Sequence, residues 1–314
     1  MTLLQQVAQT IQDTAGAAPP APSGPPPGFS LRDAFFQLIL FVGWFFSIGA
    51  IGFRFGIVRR VRGMTDEARL ILRADNAARL GMLGVLLLLV AFLGGPLLAS
   101  AMQHKTFLES LPPNRAPFEL KVALLVLAFT GFALVRAAST AGWALATIGI
   151  LIAVLQPLYT GRTAGKVNAV HILAASTWLG TLLVLTLIGI RGVMRSATSG
   201  VKRAELVGDL VNSFSPLALS AATIVALTGL TTAWLHLKRL SALWTTSYGA
   251  ALLVKLVLVV VVVTLGAWNW RRVRPSLGGE GSEETIRRSA TLELTFAGLV
   301  LVATAVLVSL PSPR

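Results

Sequence analysis

Long apolar runs, broken by short basic or turn-forming stretches, set the pattern of this chain from residue 34 to residue 310. A helix crosses a hydrocarbon core of roughly 30 Å with about 20 residues. Runs of that size fall at 34–57, 80–102, 120–138, 141–160, 167–190, 212–235, 249–270 and 290–310. The pattern predicts an all-α integral membrane protein, a bundle of about eight transmembrane helices. The narrowest break follows the third run, where Arg136 and residues 137–140 leave only a tight turn. The first 32 residues differ, because the tract from Pro19 to Gly28 is too rich in Pro and Gly for helix or sheet. Met1 to Thr14 also lacks the basic and apolar regions of a signal peptide. The expected organisation is a flexible extracytoplasmic tail over 1–32, an N-terminal four-helix half over 33–166 and a C-terminal four-helix half over 167–314.

Composition agrees, since 54% of the residues are hydrophobic and only 13% charged, a balance suited to lipid as solvent. A formal charge of +14 would suggest nucleic acid for a soluble domain. Here the basic residues cluster between apolar runs, so the lipid bilayer is the expected partner and nucleic acid is not. Cytoplasmic loops carry excess Lys and Arg. With the N-terminus outside, 17 basic residues face the cytoplasm and 9 face out, Lys255 being uncounted within a span. Both termini are therefore expected outside, and Trp268 and Trp270 beside Arg271 and Arg272 mark the inner headgroup level.

The chain has no cysteine, which excludes disulfides, iron–sulfur clusters and thiolate metal sites and leaves His, Met, carboxylates and main-chain groups as ligands. That topology puts all three histidines on the outer side. Met102-Gln103-His104 ends the second span, and in an extended segment residues two apart share a face, so the Met thioether and the imidazole could approach one ion. His171 lies about 6 Å along its helix from Val167, where an ionisable ring is a functional hypothesis by default. Asn168, Ala175 and Trp178 are expected on its face; the plainer reading is a histidine hydrogen-bonded between helices. His236 closes the sixth span above a small, polar stripe of Gly229 and Thr232, and it either binds a ligand or caps the helix end. Lys255 lies about 9 Å into the seventh span and can reach outward toward an anion or a cofactor propionate. Glu293, at the inner end of the eighth span, either pairs with Arg287 or Arg288 or accepts protons or cations on the inner side.

Several of these residues recur in a set. His171-Ile-Leu-Ala-Ala-Ser-Thr-Trp178-Leu-Gly180, Phe214-Ser-Pro216, Thr228-Gly229, Tyr248-Gly249 with Lys255, Pro275, and Glu293 ahead of a helix ending at Pro311 follow in order. Through them the stretch 167–311 resembles the copper-resistance D (CopD-type) family of bacterial inner-membrane proteins. Thr181 stands where that family repeats a glycine after Trp-x-Gly, which bears on how closely this helix packs. The resemblance implies copper handling at the inner membrane, read as uptake from the periplasm with a separate CopC-type copper-binding partner, and it carries over His171 most directly.

The leading expectation is a copper transport protein rather than an enzyme, with Met102, His104, His171 and His236 forming an outer site for Cu(I) or Cu(II). The alternative is a haem-binding membrane redox protein or enzyme, similar to HemJ-type protoporphyrinogen oxidases, with His171 as axial ligand and Trp178 and Lys255 beside the cofactor. A third is an accessory subunit whose histidines only pack. No nucleotide-binding motif is present, and the inner side offers neither His nor Cys as an exit ligand.

Overall fold

The structure is a computed structural model and describes residues 30–61, 74–161, 163–194, 200–237, 241–268 and 282–310. The proline-rich tract and Pro275 lie outside them. Every regular element among the described residues is helical. Seven helices are long and apolar enough to cross a membrane. They are α1 (Leu31–Val58), α2 (Ala74–Gln103), α3 (Ala116–Arg136), α4 (Ala141–Thr160), α5 (Thr163–Val193), α6 (Gly200–Leu237) and α7 (Ser247–Trp268). An eighth, α8 (Ser282–Ser309), carries a shorter apolar stretch, Thr295–Ser309. The all-α membrane architecture expected from the runs is thus observed. Helix α6 begins a dozen residues earlier than the apolar run, because its first turns carry the polar residues Glu205 and Asp209 beyond the apolar stretch.

Local chemistry sets the ends. Ser30 caps α1, its hydroxyl accepting from the Asp33 N–H at 3.2 Å. The tight turn after α3 is a Schellman cap: the Ser139 N–H reaches the Leu134 carbonyl at 2.9 Å, the Ala138 N–H reaches Val135 at 3.0 Å, and Ala138 takes φ 63°. Inside the spans most Ser and Thr hydroxyls donate to the carbonyl four residues back, as Thr130, Thr147, Thr186 and Thr304 do. Those hydroxyls are thereby satisfied within their own helix, without a partner from water.

Helix α1 is the hub, packing against α2, α5 and α8. Lipid supplies no hydrophobic drive between helices, so association depends on close contact of small residues. On the α2 side a Cβ at Gly43 would lie 2.8 Å from Leu88 and 2.9 Å from the Gly84 carbonyl. Facing α5, the backbones of Gly49 and Gly180 touch so closely that neither admits a side chain. One turn on, Gly52 leaves room for Thr181 Oγ1. The departure from the family pattern at Thr181 therefore does not loosen this contact, because the glycine stands on the opposing helix instead.

Helix α5 is not uniformly α-helical. It winds as π turns over Ser176–Gly180 and Leu185–Ile190, and α1 does the same over Phe53–Val58. Ser176 and Thr181, at the two edges of the first π turn, are fully buried, and among the described residues their hydroxyls find no hydrogen-bond partner. Helices α6 and α7 are the least enclosed, turning Leu219, Leu227, Leu230 and Val257 outward, as lipid-facing helices do.

Gly52→Ala is expected to lower the thermal stability of the detergent-solubilised protein by about 1–3 kcal/mol, the usual range for overpacking. Thr181→Ala in the same chain should recover most of that loss. Additive effects of the two changes in a double-mutant cycle would contradict the contact.

Candidate metal site at one end of the bundle

His104 follows α2, His171 lies in the first half of α5 and His236 ends α6, so alternation of the spans puts all three toward the same end. His171 lies deeper than the expected start at Val167 implies. Its helix begins at Thr163, eight residues earlier, or about 12 Å along the axis. Lys255 is eight residues into α7, as His171 is into α5.

The His171 ring is held by α6. Its Nδ1 lies 2.9 Å from Thr228 Oγ1, and that hydroxyl lies 2.6 Å from the Ile224 carbonyl. A carbonyl can only accept, so the hydroxyl proton goes to Ile224 and the Thr228 oxygen accepts from Nδ1–H. This assigns the proton to Nδ1 and leaves Nε2 as the unprotonated ring nitrogen, the way a hydrogen-bond partner at one nitrogen fixes the tautomer of a histidine. Gly229 makes the approach possible, since a Cβ there would lie 3.3 Å from His171 Cε1. Thr232 continues the stripe, donating to the Thr228 carbonyl at 2.8 Å. The small, polar stripe noticed below His236 thus serves His171. Thr228 is the positioning residue that sequence reasoning passed over, although it stands in the Thr228-Gly229 pair.

The Trp178 ring packs on an apolar cluster of Phe45, Leu179, Val262, Ala297 and Val300, from α1, α5, α7 and α8. The π turn that begins at Ser176 inserts extra winding between His171 and Trp178.

Met102 and His104 are both exposed, Met102 by 66%. The extended backbone on which their pairing rested is absent: Met102 and Gln103 are still helical, and His104 takes φ 52°. His104 occupies the left-handed position of a Schellman cap, with the Lys105 N–H bonded to the Ser100 carbonyl at 3.2 Å. The loop beyond is fixed by a capping box, the Thr106 N–H donating to Glu109 at 2.8 Å and the Glu109 N–H to Thr106 Oγ1 at 3.4 Å. These bonds hold the Glu109 carboxyl below its ordinary pKa, the main-chain bond contributing most. His236 is helical at the end of α6 and Glu293 lies on α8, but their side chains, like those of Arg287 and Arg288, lie outside the described residues.

Among the described residues no three His, Cys, Asp or Glu side chains gather. Two cavities, of about 350 and 360 Å³, open at the other end of the bundle, one beside Arg60 and Asp209 and the other beside Arg79 and Arg191. Neither borders His171, Trp178 or Lys255.

Residues 208–307, from α6 to α8, match a family model described as Copper resistance protein D. A similar curated protein is described as Copper transport protein CutJ, from Bacillus subtilis (strain 168). It is 30% identical over 190 residues, covering 60% of this chain but only 29% of the relative. No solved structure matches the chain.

Two substitutions test the geometry. Thr228→Val should shift the His171 tautomer away from Nδ1–H, read from imidazole nitrogen-15 shifts; an unchanged spectrum would remove Thr228 from its role. His104→Gly should raise thermal stability by up to about 1 kcal/mol, because glycine is at ease at positive φ; a lower melting temperature would contradict the cap.

Proposed function

We propose that this chain, whose residues 208–307 match the Copper resistance protein D model, takes up copper at the outer face of a bacterial inner membrane and does no chemistry on it. The observation that carries the reading is the Nδ1 bond of His171 to Thr228. It joins two pieces of the family set across α5 and α6 and presents Nε2 as a nitrogen donor. Imidazole nitrogen suits both copper oxidation states, and a thioether favours Cu(I).

In this reading His171 is the central ligand. Met102 and His104, exposed at the end of α2, make the first contact, and His236 supplies a further nitrogen from the end of α6. A cation on Lys255 beside this layer disfavours a long-lived second positive charge, which suits a site that must release its cargo. Its other use is to hold an anion that accompanies the metal. Glu293 is the inner acceptor once the ion has crossed. The copper arrives from a separate CopC-type periplasmic protein. The excess of basic residues in the loops assigned to the cytoplasm supports this orientation.

Copper content of the purified protein, measured beside variants, tests the proposal. His171→Ala should abolish stoichiometric copper, and Thr228→Val should weaken binding by about 10–100-fold, the usual effect of losing a ligand's supporting partner. Copper unchanged in His171→Ala would sink the outer site. A Soret band in the wild type, lost in His171→Ala, would transfer His171 to the haem reading.

A further inference from the structure

Helix α5 runs from Thr163 to Val193, and its first π turn, Ser176–Gly180, falls at the midpoint of the span. Under α winding Ser176 and Thr181 would stand about 140° apart around the axis. A π turn closes i→i+5, so the two stand one above the other, one turn apart. Both are fully buried, and among the described residues neither hydroxyl has a hydrogen-bond partner. Thr177 and Thr186 on the same helix do, donating to the Leu173 and Leu182 carbonyls at 2.8 and 2.9 Å. The elements packed on this turn are α1, α6 and the flanking turns of α5. All side chains of α1 and α5 are described, and those of α6 are from Glu205 to Leu235. Two main-chain oxygens join the hydroxyls where α1 and α5 touch. A Cβ at Gly180 would meet the Phe45 carbonyl oxygen, and one at Gly49 would meet that of Gly180. Thr181 Oγ1 lies against Gly52 one turn on.

The chemistry of these oxygens selects the occupant. Hydroxyls and carbonyls are hard, neutral donors, and a carbonyl keeps a second lone pair beyond its helix bond. Copper prefers nitrogen and sulfur. Calcium and magnesium draw on carboxylates, and the sequence puts no Asp or Glu on α5, on α1 after Asp33 or on α6 after Asp209. A proton needs a titrating acceptor, which a hydroxyl is not. A small alkali cation remains, and irregular backbone near the middle of a span is where transporters hold sodium. The closeness of the two backbones favours sodium over the larger potassium ion. Lys255 is on α7, which meets this turn through Trp178, about half a turn around the helix from Ser176. We propose that the π turn of α5 is a sodium-binding site, with Ser176 Oγ, Thr181 Oγ1 and the Phe45 and Gly180 carbonyl oxygens as ligands. The site goes beyond the copper reading and does not rest on it.

The test uses the full chain in lipid nanodiscs, without copper, in sodium, potassium or choline chloride at equal ionic strength. Binding of radioactive sodium and the melting temperature are measured together. The wild type should bind sodium stoichiometrically and melt higher in sodium than in potassium or choline. Ser176→Ala and Thr181→Val should each weaken sodium binding by about 10–100-fold. In choline both variants should melt no lower than the wild type, because an apolar group in place of an unpartnered buried hydroxyl removes a desolvation cost. Thr186→Val, which removes a hydroxyl bonded within its own helix, should leave sodium binding unchanged. Absence of sodium binding in the wild type would overturn the proposal, as would equal stabilisation by potassium. Sodium binding retained when Ser176→Ala and Thr181→Val are combined would overturn it too, and so would an equal loss in Thr186→Val. Melting of the two variants below the wild type in choline would show that the hydroxyls already have partners, and would overturn it as well. No readout involves copper, so failure here leaves the uptake reading standing, and failure of uptake leaves the sodium site standing.

Discussion

The close approach of α1 and α5 through Gly49 and Gly180 is the contact on which the rest of the bundle depends. It brings two backbones together where lipid offers no solvent-driven reason for them to meet, and it fixes α5 against a helix that also holds α2 and α8. Everything α5 carries inherits its placement from that contact. The π turn at Ser176–Gly180 lies directly against α1, and the orphaned hydroxyls of Ser176 and Thr181 flank it. Buried polar groups without partners are costly in hydrocarbon, so packing of this part of α5 against α1 has to offset those two hydroxyls.

The same placement explains why the histidine layer is unequal. His171 sits on the regularly wound part of α5 and is gripped by α6 through Thr228 and Gly229. Met102 and His104 end a helix with exposed side chains, and His104 is fixed by backbone conformation more than by any contact of its ring. One imidazole is thus held by a neighbouring helix, and the other is set by the conformation of its own backbone.

Much of this was legible in the sequence. Hydropathy alone placed the spans, because a 20-residue apolar run has few alternatives to a membrane helix, and the tight turn after Arg136 appeared where expected. What failed was an inference that assumed one backbone geometry. The Met102–His104 pair assumed an extended strand, and a left-handed residue after a helix, which leaves no compositional mark, broke that assumption. The helix exchange at Gly52 and Thr181 was hidden for another reason, since complementarity between residues far apart in the chain cannot be read from either one.

That separation has a temporal side. Gly49 and Gly180 lie 131 residues apart, and ribosomes add about 5–20 residues per second. For about 7–26 s after Gly49 is added, α5 does not yet exist, and the glycine face of α1 has no partner from this part of the chain. Helix α2, next in the chain and joined to α1 through Gly43 and Gly84, arrives long before. The α1–α2 hairpin is therefore the natural platform of biogenesis. Its half-finished surface is where an insertion chaperone would have to act, and where a lipid would have to leave before α5 could dock.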